Sequence, residues 1–106
     1  MKPTTPIAWK RTARRASATQ DPVAEYDAII GGAHFGAIEA QFDSIDRGYT
    51  KMASYTYALN GYTAWTRNHF DEVQFPVSRY GSSQSALAAA KGWVAEQSKR
   101  PWTPVG

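Results

Sequence analysis

Residues 75 to 97, FPVSRYGSSQSALAAAKGWVAEQ, contain the pattern that decides the fold class. The segment predicts the end of a strand, a turn at Gly81 and a helix with Ser82 or Ser83 as its N-cap. Alanine dominates the apolar positions of this helix, so a sheet or another backbone must lie close to it. We therefore expect a helix over residues 82 to 98 that packs on a sheet. The side chains expected to face that sheet are Ala86, Leu87, Ala90, Trp93 and Val94.

The preceding sequence supplies the sheet. The stretch SYTYALNGYTAWTR has two β-favouring runs around Asn60-Gly61, and this dipeptide favours a two-residue hairpin turn. Further along, EVQFPV alternates apolar and polar residues, and Pro76 limits it to an edge strand because proline has no amide hydrogen. The predicted antiparallel strands are residues 54 to 59, 62 to 67 and 72 to 77. The fold class is therefore α+β, a three-stranded antiparallel sheet against a C-terminal helix.

One or two further helices are expected before the sheet. In DPVAEYDAIIGG, Asp21 can cap a helix, Pro22 suits its first position and Gly31-Gly32 can end it. Residues 33 to 47 place apolar side chains at steps of three and four, which favours an amphipathic helix with an acidic outer face. A strand is the alternative for residues 33 to 47, because apolar residues also alternate there. The helical spacing is that of Phe35, Ile38, Phe42 and Ile45, and the alternation is that of Ile38, Ala40 and Phe42.

Length and charge divide the chain into segments. The 106 residues suit one domain. Residues 1 to 15 contain five basic side chains and no acidic one, whereas residues 21 to 46 contain six acidic side chains and no basic one. We expect residues 1 to 18 to be a flexible basic arm, since a proline-containing segment of like charge buries too little apolar area to fold. A single α+β domain over residues 19 to 98 and a C-terminal tail over residues 99 to 106 complete the expected organisation.

Several functional classes are disfavoured by the composition. The chain has no cysteine and two histidines, so a disulfide framework and a structural zinc site are not expected. No apolar run is long enough to cross a bilayer, and the N-terminus has no signal-peptide core, so we expect a soluble, cytoplasmic protein without membrane contact. No nucleophile motif, phosphate loop or cofactor motif occurs, so we expect neither an enzyme nor a cofactor. Two sets of residues are weak catalytic candidates, because neither is part of a known catalytic motif: His34 near Glu39, and His69 with Asp71 and Glu72.

The C-terminal half resembles a known family. The expected hairpin and third strand, followed by F-x-x-x-x-Y-G-S and A-L-A-A-A-K-G-W, resemble DNA-binding domains of the apetala-two/ethylene-response-factor type, particularly the small bacterial and phage versions. The resemblance covers about residues 54 to 97 and implies a sheet that lies in the DNA major groove, with arginine and tryptophan contacts. It places Trp65 and Arg67 among the contacting residues, with Arg79 just after the sheet. Its specific positions are Phe75, Tyr80, Gly81, Ala86, Ala89 and Trp93.

Two functions are therefore open at this point. The first is nucleic-acid binding, most simply to DNA, in which the basic arm contacts phosphates and the strand face away from the helix contacts the groove. Its expected contacts are Lys10, Arg11, Arg14, Arg15, Thr56, Thr63, Trp65, Arg67 and Arg79. The second is a phage or mobile-element protein that binds and inhibits a host immune or transcription complex. A third, purely structural interpretation places Trp65 beneath the N-terminal helices, so the position of Trp65 discriminates among them.

Overall fold

The computed structural model describes residues 6 to 46 and 55 to 103, with the side chains of residues 45, 46, 55 and 56 outside the description. Five antiparallel strands form one sheet in the order β1-β2-β3-β4-β5. The elements are β1 (Ala8–Arg14), β2 (Val23–Ile30), β3 (Ala33–Asp46), β4 (Tyr55–Thr66), β5 (Val73–Pro76), α1 (Val77–Tyr80) and α2 (Ser83–Ser98). The α+β class is confirmed, but the sheet has five strands instead of three.

The C-terminal helix lies where the sequence predicts it. The Ser82 side chain caps α2 by accepting a 3.1 Å hydrogen bond from the backbone N–H of Ser85. Ala86, Ala90 and Val94 have no exposed surface and pack on β3, β4 and β5. The alanines allow the close approach that the sequence implies. No described helix is both long and apolar enough to span a membrane.

The helix predicted for residues 21 to 32 is wrong, because this segment is β2 and a turn. The β2–β3 ladder closes at Ile30 and Ala33, so Gly31 and Gly32 form a two-residue hairpin loop. Their φ angles are +57° and +82°, and two consecutive positive values are what such a tight turn requires. The two glycines therefore reverse the chain instead of ending a helix.

The helix favoured for residues 33 to 47 is also wrong, and the strand alternative describes β3. The ladder with β2 shifts register between Ala28 and Ile29, which leaves Phe35 as an extra residue in β3. A β-bulge of this kind breaks the period of two, so Phe35 and Ile38 can be buried in the same core although they are three residues apart. The bulge therefore gives the apolar residues of β3 a spacing that is typical of a helix.

The hairpin predicted at Asn60-Gly61 is wrong as well, because β4 continues through it as one strand. Gln41 pairs with Gly61 and Phe42 with Leu59, so Asn60 is the extra residue of a second bulge. A side chain at Gly61 would come within 2.6 Å of a backbone oxygen of β5. Glycine is therefore needed at position 61 for the close approach of β4 and β5. The Asn60-Gly61 dipeptide, whose composition favours a hairpin turn, forms a β-bulge here.

The segment expected to be a flexible basic arm contains an edge strand. β1 pairs with β2 along its whole length, from Ala8 opposite Ile29 to Arg14 opposite Val23. Trp9 of β1 stabilises this pairing by packing edge-on against Tyr26 of β2, with ring centroids 6.2 Å apart. The free edge of β2 and this aromatic contact explain why a segment of high charge joins the sheet.

Candidate nucleic-acid interface

One face of the sheet is uncovered in the described part of the chain. Both helices pack on the other face, where Tyr62, Ala64 and Phe75 belong to the core. Side chains alternate along a strand, so the intervening residues point away from the helices. We call this second surface the open face. Its principal residues are Lys10, Thr12, Glu25, Asp27, His34, Ala37, Glu39, Thr63, Trp65, Arg67 and Gln74.

The centre of the open face is a histidine-tryptophan cluster. The register places Asp27, Ala37 and Trp65 side by side on β2, β3 and β4. Above the small Ala37 lies His34, whose Nε2 is 3.3 Å from Asp27 Oδ1 and whose ring centroid is 5.4 Å from that of Trp65. Ala37 is buried beneath this arrangement. Trp65 is therefore half-buried against its neighbours within the sheet, and neither of the described helices lies over it.

Arg67 extends this cluster at the end of β4. Its Nε–H donates to the carbonyl oxygen of His34, and its backbone N–H donates to the carbonyl oxygen of Phe35 at 2.9 Å. No other hydrogen bond joins the guanidinium to the described residues, and the side chain is exposed. A guanidinium has five N–H donors, so this anchored group keeps donors for a ligand.

Some charges of the face already have structural partners. Glu25 Oε2 accepts a 2.7 Å hydrogen bond from the Ala40 amide, and Arg14 Nη1 donates to the Ala40 carbonyl at 3.0 Å. Arg14 Nη1 lies 3.5 Å from Glu25 Oε2. The two side chains bind the Ala40 backbone at a position beyond the last β2–β3 pair, Tyr26 with Ile38, where β2 no longer pairs with β3. Arg14 is thus engaged in the sheet, while Lys10 and Glu39 remain exposed.

The structure separates the residues predicted to bind nucleic acid. Lys10, Thr63, Trp65 and Arg67 share the open face, although Thr63 is only 4% exposed. Arg14 alternates to the same face as Lys10, but its guanidinium contacts the Ala40 carbonyl oxygen and Glu25. Arg11 points to the helix side, Arg15 follows β1 with Nη1 3.5 Å from the Ala18 carbonyl oxygen, and Arg79 is exposed on α1. The Thr56 side chain is outside the description.

The sequence interpretation missed Asp27 and His34 as members of the site. The sequence analysis assigned both residues to helices. The signal that locates them is Gly31-Gly32, because a two-residue hairpin loop sets the register that brings Asp27 near His34. His34 Nε2 does not contact Glu39 in the described contacts, and His69 Nδ1 lies 2.7 Å from the Asp71 carbonyl oxygen.

Burial changes the pKa of Tyr62, a residue of the core. Burial of Tyr62 raises its pKa above the ordinary value, with smaller contributions from Tyr26 and Glu25. Among the described residues, no group of three His, Asp or Glu side chains is placed to hold a metal ion. Since the described residues offer no metal site, we describe the open face as a polar and aromatic contact surface.

Comparison with protein-family models finds no match. Comparisons with curated proteins and with solved structures find none either.

Proposed function

We propose that this protein is a non-enzymatic, cytoplasmic nucleic-acid-binding protein that holds duplex DNA on the open face. The observation that carries the proposal is the position of Trp65. It lies beside the anchored Arg67, on a face that no described helix covers. Aromatic and guanidinium groups on an accessible sheet are suited to contacts with bases and phosphates.

The dimensions of the face also fit duplex DNA. Lys10 and Trp65 lie on β1 and β4, which are three strand spacings apart, or about 14 Å. The major groove is about 12 Å wide, so cations at the two sides of the face can reach the phosphates that border it. Lys10 and Arg67 are the phosphate contacts in this arrangement, and Trp65 lies toward the groove.

The family resemblance gives separate support. β3, β4, β5 and α2 are three consecutive antiparallel strands followed by a helix on one face. The resemblance to apetala-two/ethylene-response-factor-type domains implies a three-stranded sheet with a helix on one face, but it covers residues 54 to 97 and includes a hairpin where β4 is continuous. Only β4, β5 and α2 therefore support it. Trp65 and Arg67 then lie at the end of the middle strand, on the face that would meet DNA.

A second candidate function, binding and inhibition of a host protein complex, is favoured by Phe70. This side chain is fully exposed on the turn between β4 and β5. The turn is braced by the hydrogen bond from Asn68 Nδ2 to the Gln97 carbonyl at 2.7 Å. The exposed Asp71 and Glu72 follow directly. An exposed aromatic side chain on a braced turn, with acidic neighbours, suits a basic-rimmed pocket on a protein, and the acidic pair disfavours contact with phosphates.

The test of the proposed function is a fluorescence-anisotropy titration of a mixed-sequence 20-bp duplex at 50 and 200 mM salt. Two phosphate contacts give a slope of log affinity against log salt of about −1.8. Affinity should therefore fall roughly tenfold between the two salt concentrations. Absence of binding at micromolar protein, or binding that salt leaves unchanged, would refute the DNA proposal and leave the protein-partner function.

A further inference from the structure

The helix side of the sheet contains a second surface that no described residue covers. α2 packs on β3, β4 and β5, so the same side of β1 and β2 extends beyond the helix. The residues that point to this side follow from the alternation that places Lys10 and Asp27 on the open face. We call this surface the aromatic shelf. It comprises Trp9, Arg11, Ala13, Ala24 and Tyr26, with Lys91 of α2 at its inner border.

The shelf contains two aromatic rings in contact with a cation. The Trp9 and Tyr26 rings pack at 86° to each other. Lys91 Nζ lies 3.9 Å from the centroid of the Tyr26 ring and 5.6 Å from that of Trp9. All three side chains are half-buried, and Trp9 packs partly against the core, so a part of each ring remains accessible to solvent. A ring face that holds a cation is also a face on which a nucleobase can stack.

The charge on the shelf has one sign. Arg11 is opposite Tyr26 in the ladder and shares its face, so Arg11 and Lys91 supply two cations. Glu25 and Asp27 alternate to the open face, and the described residues that form the shelf include no carboxylate. An anionic ligand is favoured here more strongly than on the open face, which carries acidic residues.

The shape of the shelf selects the ligand. The surface is two strands wide, with a strand spacing of about 5 Å, and α2 forms a wall along it. A duplex offers its bases only through a groove about 12 Å wide, and the wall prevents such an approach. A single strand can lie along the wall with its bases turned to the rings.

We propose that the aromatic shelf binds single-stranded DNA, a site separate from the duplex site on the open face. Bases stack on Trp9 and Tyr26 while phosphates contact Arg11 and Lys91. The Lys91 ammonium exchanges its place on the Tyr26 ring for a phosphate, which is a stronger partner for a cation than an aromatic ring. β1 serves both sites, since Lys10 points to the open face and Arg11 to the shelf.

Fluorine NMR of 5-fluorotryptophan-labelled protein tests this assignment. The chain has four tryptophans, so single Trp→Phe variants assign the four resonances. A dT12 oligonucleotide should shift the Trp9 resonance, and a 20-bp duplex should shift that of Trp65. If dT12 shifts Trp65 and leaves Trp9 unchanged, the shelf proposal fails and the open-face function stands. If the duplex has no effect while dT12 shifts Trp9, the open-face function fails alone.

Charge-removing variants provide a second readout. Arg11→Gln with Lys91→Gln should weaken dT12 binding about tenfold and change duplex affinity by less than about twofold. The matched control is Lys99→Gln with Arg100→Gln, which removes two exposed cations after α2 and should leave dT12 affinity unchanged. Equal losses in the control and shelf variants would overturn the assignment. Tighter binding of rU12 than of dT12 would overturn the choice of DNA.

Discussion

Gly36→Ala should destabilise the fold by on the order of 3 kcal/mol, the largest effect expected of any single-methyl change in the described sheet. A Cβ at this position would overlap the backbone carbonyl oxygen of Trp65 and lie 3.1 Å from the Cα of Thr66. Both obstacles belong to the neighbouring strand β4, so relief requires β3 and β4 to separate. Urea denaturation followed by far-UV circular dichroism measures the change in the free energy of unfolding.

Gly92→Ala is the matched control for this prediction. Gly92 lies on the exposed side of α2, and no atom outside its own helix neighbourhood lies within 4 Å of an added Cβ. Alanine is a better helix former than glycine by about 0.8 to 1 kcal/mol, so this variant should be more stable than the parent protein. A Gly36→Ala protein as stable as the parent would contradict the close β3–β4 approach.

The double variant Lys10→Glu with Arg67→Glu should lose about 100-fold in affinity for duplex DNA at 50 mM salt. Each substitution replaces a phosphate contact with a repulsive charge, at about tenfold each. Lys10 and Arg67 are at least three strand spacings apart, or more than about 14 Å, so their effects should add. The anisotropy titration of the 20-bp duplex measures the loss, and circular dichroism confirms that the variant is folded.

Lys99→Glu with Arg100→Glu controls for the change in net charge. Both side chains are exposed and follow α2, on the opposite side of the sheet from the open face. The Lys99 partner is Glu96 at 3.1 Å, an exposed pair that adds little to stability. This control should lose only a few-fold in duplex affinity through long-range attraction. Equal losses in the two double variants would place DNA binding outside the open face.

Local signals predicted the last strand, β5, and the C-terminal helix, α2, well. The cap at Ser82 and the alanine-rich face of α2 are fixed by residues next to each other in sequence, and the structure shows both. The third strand also lies within its predicted range, as β5 with Pro76 at its end. Such signals act within one turn of helix or one strand, so they need no knowledge of distant partners.

The strands before β5 depend on partners that local signals do not show. The bulge at Phe35 gives β3 a helix-like spacing, and Asn60-Gly61 has the composition of a turn although it forms a bulge. In both cases strand pairing over a long sequence separation overrides the local preference. β1 joins the sheet because β2 offers it an edge, which its basic sequence does not reveal.

The candidate site was predicted in part for the same reason. Trp65 and Arg67 have the predicted alternation within β4, so their common face is a local property. Asp27 and His34 reach that face only through the β2–β3 hairpin, and Lys10 reaches it only through β1. The wrong structure for β2 and β3 therefore left Asp27 and His34 out of the predicted site, whereas Lys10 was predicted as a residue of the basic arm.

Amide chemical-shift mapping on addition of the 20-bp duplex tests the central claim most directly. ¹⁵N-labelled protein is titrated at 50 mM salt, and shifts are compared between the two faces of the sheet. The account predicts the largest changes at Lys10, His34 and Arg67, together with the indole N–H of Trp65. Changes confined to α2 or to the turn at Phe70, with the open face unmoved at saturation, would contradict it.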